Sequence, residues 1–161
     1  MRILFVSVSS PFNKGLWSGI PAYMLEALTK TGVSVEIASP LKGVNANLLT
    51  HLLGLWPHFQ NWRCAKTKSG VYEGMRDPVV CALWAYEVRR HISKVKPDVV
   101  FSYSSLPVAR LRTDTPVVIW PDATFDGLLD FYWPRTYFAP SALRNGHRQE
   151  QAALAHASAI V

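Results

Sequence analysis

The sequence predicts an α/β fold, an open parallel sheet with helices on both faces. Three observations carry that prediction. Short β-branched apolar runs, such as Ile3 to Val6, Val99 to Phe101 and Val117 to Trp120, alternate with longer stretches of helical period. The runs are apolar on consecutive residues, as strands are when both faces of a parallel sheet are covered. Gly32, Pro40, Pro97 and Pro116 punctuate them. A length of 161 residues suits one domain with a real core, here 1–161.

Residues 2 to 8 read as the first strand, followed by a loop through Pro11 and Gly15 that ends at Ser18-Gly19. A helix is expected from about Ile20 to Thr31, with Pro21 in its first turn, Ile20, Met24, Leu25 and Leu28 on one stripe, and Gly32 after its end. Val33 to Ala38 alternates as a second strand, closed by Ser39-Pro40. Asn47 to Trp56 reads as a short apolar helix ended by Pro57, and His58 to Gly74 shows no stable period. Asp77-Pro78 then opens a helix running to about Val95, with Val80, Trp84, Val88, Ile92 and Val95 inward. Strands follow at Val99 to Ser102 and Pro116 to Trp120, separated by a brief turn or helix over Ser104 to Leu111. A segment rich in Asp and aromatics spans Pro121 to Pro140, and a last helix covers about Ala142 to His156. The closing Ala159-Ile160-Val161 reads as the start of a buried strand, which makes the chain look like half of a larger machine.

Composition excludes several classes. Apolar runs fall far short of the ~20 residues of a spanning helix, and Arg2 precedes a short β-branched stretch without a cleavage site, so a cytoplasmic protein is expected. Cys64 and Cys81 have no metal or redox spacing, and the five histidines form no ligand pair, so no metal is expected. No G-x-S-x-G elbow, P-loop or dinucleotide fingerprint occurs. The net charge of +6 favours anionic partners, but the basic residues are not gathered on one element, which disfavours nucleic acid.

In such sheets ligands gather at the carboxyl ends of the strands. Three loops qualify: Ser9 to Gly19, Tyr103 to Leu106 and Pro121 to Asp126. Gly15-Leu16-Trp17-Ser18-Gly19 opens onto a helix N-terminus, which suits a phosphate or sugar oxygen; glycines used only for turning are the plain alternative. Asp122, with Asp126 and Asp130 at helical spacing, either orients a hydroxyl or caps a helix. Tyr103, Trp120, Phe125, Tyr132 and Trp133 either stack on sugar rings or pack inside. Segment 48–68 joins Leu48, Leu49, Leu52, Leu53, Leu55, Trp56, Phe59 and Trp62 to Arg63, Lys66 and Lys68. That mixture suits an anionic membrane face; burial habits favour a core helix followed by a solvated basic loop.

Several stretches resemble family 4 glycosyltransferases: MRILFVS, then Ser-Gly-Ile-Pro-Ala-Tyr-Met-Leu-Glu-Ala-Leu with Gly32-Val33-Ser34-Val35, Lys96-Pro97-Asp98-Val99-Val100, Asp122-Ala123-Thr124-Phe125, and Glu150 with Ala153 to Val161. Ser18 stands where the family has the first glycine of a pair, and Ser34 and Ala157-Ser158 replace its usual His and Ala-Asp. The resemblance implies the Rossmann-like, acceptor-binding N-terminal half of a two-domain GT-B enzyme. Such enzymes move a sugar from a nucleotide-diphosphate sugar to a glycan, lipid-linked or small-molecule acceptor with retention and without a metal or other cofactor. It also implies that Gly15, Ser18 and Gly19 approach the donor phosphates and that Asp122 serves the chemistry. Tyr103, Ser104, Thr124 and Phe125 would hold the acceptor, and the excursion that includes residues 48–68 would bind the acceptor as well or, where the acceptor is lipid-linked, a lipid surface at the inner face of the membrane. The partner is a C-terminal donor-binding domain in cis or trans, without which the domain is expected to be inactive. The rival expectations are a non-catalytic docking subunit at a membrane and an unrelated nucleotide- or phosphate-binding α/β protein.

Overall fold

The computed structural model describes residues 1–39, 41 and 48–161, and within 48–54 the backbone alone. Five parallel strands form one sheet in the order β2-β1-β3-β4-β5: β1 Arg2–Val6, β2 Ser34–Ala38, β3 Val99–Ser102, β4 Val117–Ile119 and β5 Ala159–Ile160. The order reverses between β1 and β3, so the loops that leave these strands diverge and open a crevice at their carboxyl ends.

Alternate residues of β1 explain the two-sided core. Leu4 and Val6 face Cys81, Trp84, Ala85 and Val88 of α3 (Pro78–Val95) and Ala153 of α5 (Pro140–His156). Ile3 and Phe5 face Leu25 of α1 (Ile20–Lys30), where Phe5 stacks on its register partner Phe101 at 5.8 Å. The predicted stripe of α3 is packed throughout, and that of α1 is packed at Met24, Leu25 and Leu28, while Ile20 stands outside the core. Burial raises the Cys81 thiol to about 12, which keeps it protonated and inert at neutral pH.

Two expectations need correction. Pro57 does not end a helix: α2 runs Leu48–Lys66 with Pro57 inside it. A proline there costs about 3 kcal/mol of helix stability, but Pro57 packs against Gly74, whose added Cβ would sit 3.0 Å from its ring, while Gln60 and Cys64 are buried. Tertiary contact overrides the local breaker. The expected start at Asn47 and the closing Pro40 lie outside the described residues. The closing strand is also not buried. Ala159 and Ile160 are exposed at the edge of the sheet, with β4 as their one strand neighbour among the described residues.

A third apolar cluster supports the candidate site. It joins Cys64, Tyr72, Phe125, Leu129, Phe138, Ala139 and Ala142, and draws together the end of α2, the short helix α4 (Phe125–Leu128) and the start of α5. Among the described residues no helix is long and apolar enough to cross a membrane.

Candidate functional site

A cleft of about 70 Å³ lies at the carboxyl ends of β1, β3 and β4. Val8, Trp17, Tyr103, Ser104, Asp122 and Glu150 are among its walls, so all three loops picked out by topology reach it. Space for a few waters is enough for the edge of a polyol or a small polar group at an open mouth.

Tyr103 is the most informative wall. Its side chain extends from the end of β3 and is 7% exposed, yet among the described residues its hydroxyl has no well-aligned hydrogen-bond partner. The Ser9 and Ser7 hydroxyls stand close enough to act on it, and among the described residues the Ser9 hydroxyl, itself buried, has no well-aligned partner. Burial, reinforced by the negative charge of Asp122 and opposed by the two serines, raises the Tyr103 pKa, so the phenol stays protonated. A buried hydroxyl left unpaired costs about 1–3 kcal/mol. A ligand oxygen arriving in the cleft would relieve that cost.

Asp122 sits exposed at the rim and accepts a bond from the Ala123 N–H at 2.9 Å. It caps no helix. Thr124 does that, its hydroxyl oxygen accepting from the Gly127 N–H at 3.1 Å. Asp126 and Asp130 instead grip Arg135 at 2.8 and 2.7 Å. The Arg135 backbone N–H and guanidinium hold Asp130 below the usual carboxylate range. Helical spacing in the sequence thus becomes a clamp around a turn, and Asp122 is left available.

Phe125 is turned away from the cleft. It is buried against Phe138 and His147 with Arg76 over its face at 4.1 Å. That corrects its expected place as a stacking surface for an acceptor. Its backbone matters more, because the N–H donates to both oxygens of Glu150 at 2.9 Å and so fixes that carboxylate beside the cleft. Ser104 is half-buried in the cleft wall, and its carbonyl accepts from the Ser102 hydroxyl at 2.7 Å.

The glycine loop stands at one side. Gly15 and Ser18 are exposed and are not cleft walls; Trp17 and Ile20 are. Trp17, Ser18 and Gly19 adopt left-handed backbone with φ of 52°, 53° and 76°. Gly19 occupies the N-cap of α1, where no side chain caps the helix. For Trp17 and Ser18 this conformation costs about 1–2 kcal/mol each.

Arg76 escaped the sequence reading. It is the one cation among the described cleft walls, with its Nε bound to Glu73 at 2.9 Å. It falls between the aperiodic stretch that ends at Gly74 and the Asp77 cap, so its only signal in the sequence is its place just before that cap. With Asp122 and Glu150 also among its walls, the cleft carries more negative than positive charge, which disfavours a phosphate inside it and suits a neutral, hydroxyl-rich ligand. Among the described residues no group of three or more His, Cys, Asp or Glu is placed to hold a metal ion. No protein-family model, curated protein or solved structure matches the chain.

Proposed function

We propose that this chain is the acceptor-binding domain of a retaining glycosyltransferase and that its cleft receives the hydroxyl face of a carbohydrate or polyol acceptor. The observation that carries the reading is the buried, unpartnered Tyr103 hydroxyl at the switch point of a parallel sheet, with Asp122 and Glu150 alongside. Neutral hydroxyls pair well with such groups, donating to carboxylates and accepting from a phenol. Asp122, exposed at the rim, would orient the acceptor hydroxyl or take its proton. A nucleotide-diphosphate sugar would approach past Gly15, Ser18 and Gly19, where the uncapped start of α1 favours negative charge. A second domain would complete the donor site and stabilise the leaving diphosphate.

The test is titration of the chain with simple glycosides, nucleotide sugars and inorganic pyrophosphate, followed by NMR shifts. Glycosides are expected to bind at millimolar concentration and move the resonances of Tyr103, Ser104 and Asp122. Tyr103→Phe removes one hydrogen bond worth about 1 kcal/mol, which weakens glycoside binding roughly fivefold. It leaves thermal stability unchanged or slightly raised, because the lost hydroxyl had no partner. Glycosides that leave these residues unmoved would sink the reading. Tight pyrophosphate binding without glycoside binding would replace it with a plain phosphate-binding protein.

A further inference from the structure

The second helix turns its aromatic side outward. Leu55, Trp56, Phe59 and Trp62 are 53%, 44%, 48% and 53% exposed, while among the described side chains of this helix Gln60 and Cys64 are the buried ones. At helical spacing the four exposed residues share one arc with Arg63 and Lys66. An amphipathic helix of a globular protein buries its apolar arc; here a glutamine goes inside and two tryptophans stay out. The rings form a ladder, Trp56 to Phe59 at 6.0 Å and Phe59 to Trp62 at 5.8 Å, with the Lys66 ammonium 4.4 Å over Trp62. A second exposed set, Phe131, Tyr132, Trp133 and Tyr137, rests on the same support. The rings of Trp133 and Tyr137 touch Phe138, which shares the third apolar cluster with Cys64 of α2.

Charge names the occupant. The sequence has no acidic residue from 37 to 72, a stretch that holds Lys42, Arg63, Lys66 and Lys68. Among the described residues Arg63, Lys66 and Lys68 enter no ion pair. We propose that this face docks on an anionic lipid bilayer, its rings lying at headgroup depth and its cations on lipid phosphates. Tryptophan and tyrosine favour that depth, since one end of each ring is apolar and the other polar. Basic residues beside them add attraction to anionic headgroups. A second copy of a chain with net charge +6 would meet like charge on this face. The Tyr132 N–H donates to the Leu128 carbonyl at 3.0 Å, and Leu128 lines the cleft, so the second aromatic set begins at the cleft mouth.

The test sediments the full chain with vesicles of phosphatidylcholine alone and of phosphatidylcholine mixed with phosphatidylglycerol, with no sugar ligand present. Its outcome is therefore independent of the cleft reading. The chain is expected to sediment with the anionic vesicles, with a blue shift of tryptophan emission, and to leave them in high salt. Phe59→Ser combined with Trp62→Ser should abolish binding while the thermal midpoint holds, because both side chains are exposed. Arg63→Gln combined with Lys66→Gln should weaken partitioning on the order of 30-fold. Failure to bind anionic vesicles, equal binding to neutral ones, or unchanged binding by the aromatic pair variant would overturn the proposal. So would a lipid-free dimer that the same variant dissociates, since the occupant would then be a second copy.

Discussion

Gly146→Ala is expected to lower the thermal midpoint by several degrees, the reverse of its usual effect in a helix. In the interior of an exposed helix the change gains about 1 kcal/mol from propensity. Gly146 lies within α5, and a Cβ there would stand 2.1 Å from the edge of the Phe125 ring. The ring has little room to retreat: Arg76 covers one face, Phe138 and His147 meet it edge-on, and Glu150 holds its backbone. Overpacking of this kind costs about 1–3 kcal/mol, and the contact distance places this site at the upper end. The net loss of about 2 kcal/mol corresponds to roughly 4–8 °C for a chain of this size. Thermal denaturation followed by circular dichroism measures it, and an unchanged or higher midpoint refutes the packing argument. Adding Phe125→Leu should recover part of the loss, because the two residues share one space and their effects are coupled. The same change should loosen the cleft, since Phe125 carries the N–H that fixes Glu150.

That coupling explains what the sequence made legible. The walls Tyr103, Ser104 and Asp122 follow from topology, because a parallel sheet delivers its strand ends to one edge and short loops leave little choice of direction. The stripes of α1 and α3 are likewise local facts, fixed by period and by the Asp77-Pro78 and Gly32 boundaries. Phe125 was ambiguous for the opposite reason. Its fate depends on a glycine in another helix, and no pattern around residue 125 records that vacancy. The second helix reads in sequence as ending at Pro57, whose local cost is plain there while its compensating contact with Gly74 is not. Its exposed rings were misleading in a further way. Apolar residues at helical spacing say that one side differs from the other, but not which side meets the protein. Arg76 falls between the aperiodic stretch and the Asp77 cap, and no local pattern marks it as a cleft wall.

Asp77→Ala is expected to cost about 3 kcal/mol, because one buried carboxyl serves three elements. Asp77 is fully buried at the N-cap of α3, where it accepts from the Val79 N–H at 2.7 Å. It also accepts the hydroxyl proton of Tyr72, and that hydroxyl oxygen accepts from the Asn145 side chain of α5 at 3.0 Å. Tyr72 is tied in turn to the stretch before α5, where Val71 bridges Phe138. Burial, then the bond and negative charge of Asp77, push the Tyr72 pKa well above its usual value, as expected for a phenol that must keep its proton. Loss of a helix cap costs about 1 kcal/mol, and a buried phenolic donor stripped of its acceptor costs about 1–3 kcal/mol more. The two costs separate by a double-mutant cycle in urea. Asp77→Asn keeps an acceptor for Val79 but offers Tyr72 an amide in place of a carboxylate, so it should fall between wild type and alanine. Tyr72→Phe in the alanine background removes the stranded donor and should restore about 1 kcal/mol or more. Strict additivity of Asp77→Ala and Tyr72→Phe would mean that the bond contributes nothing, and that the cap alone joins this loop to α3.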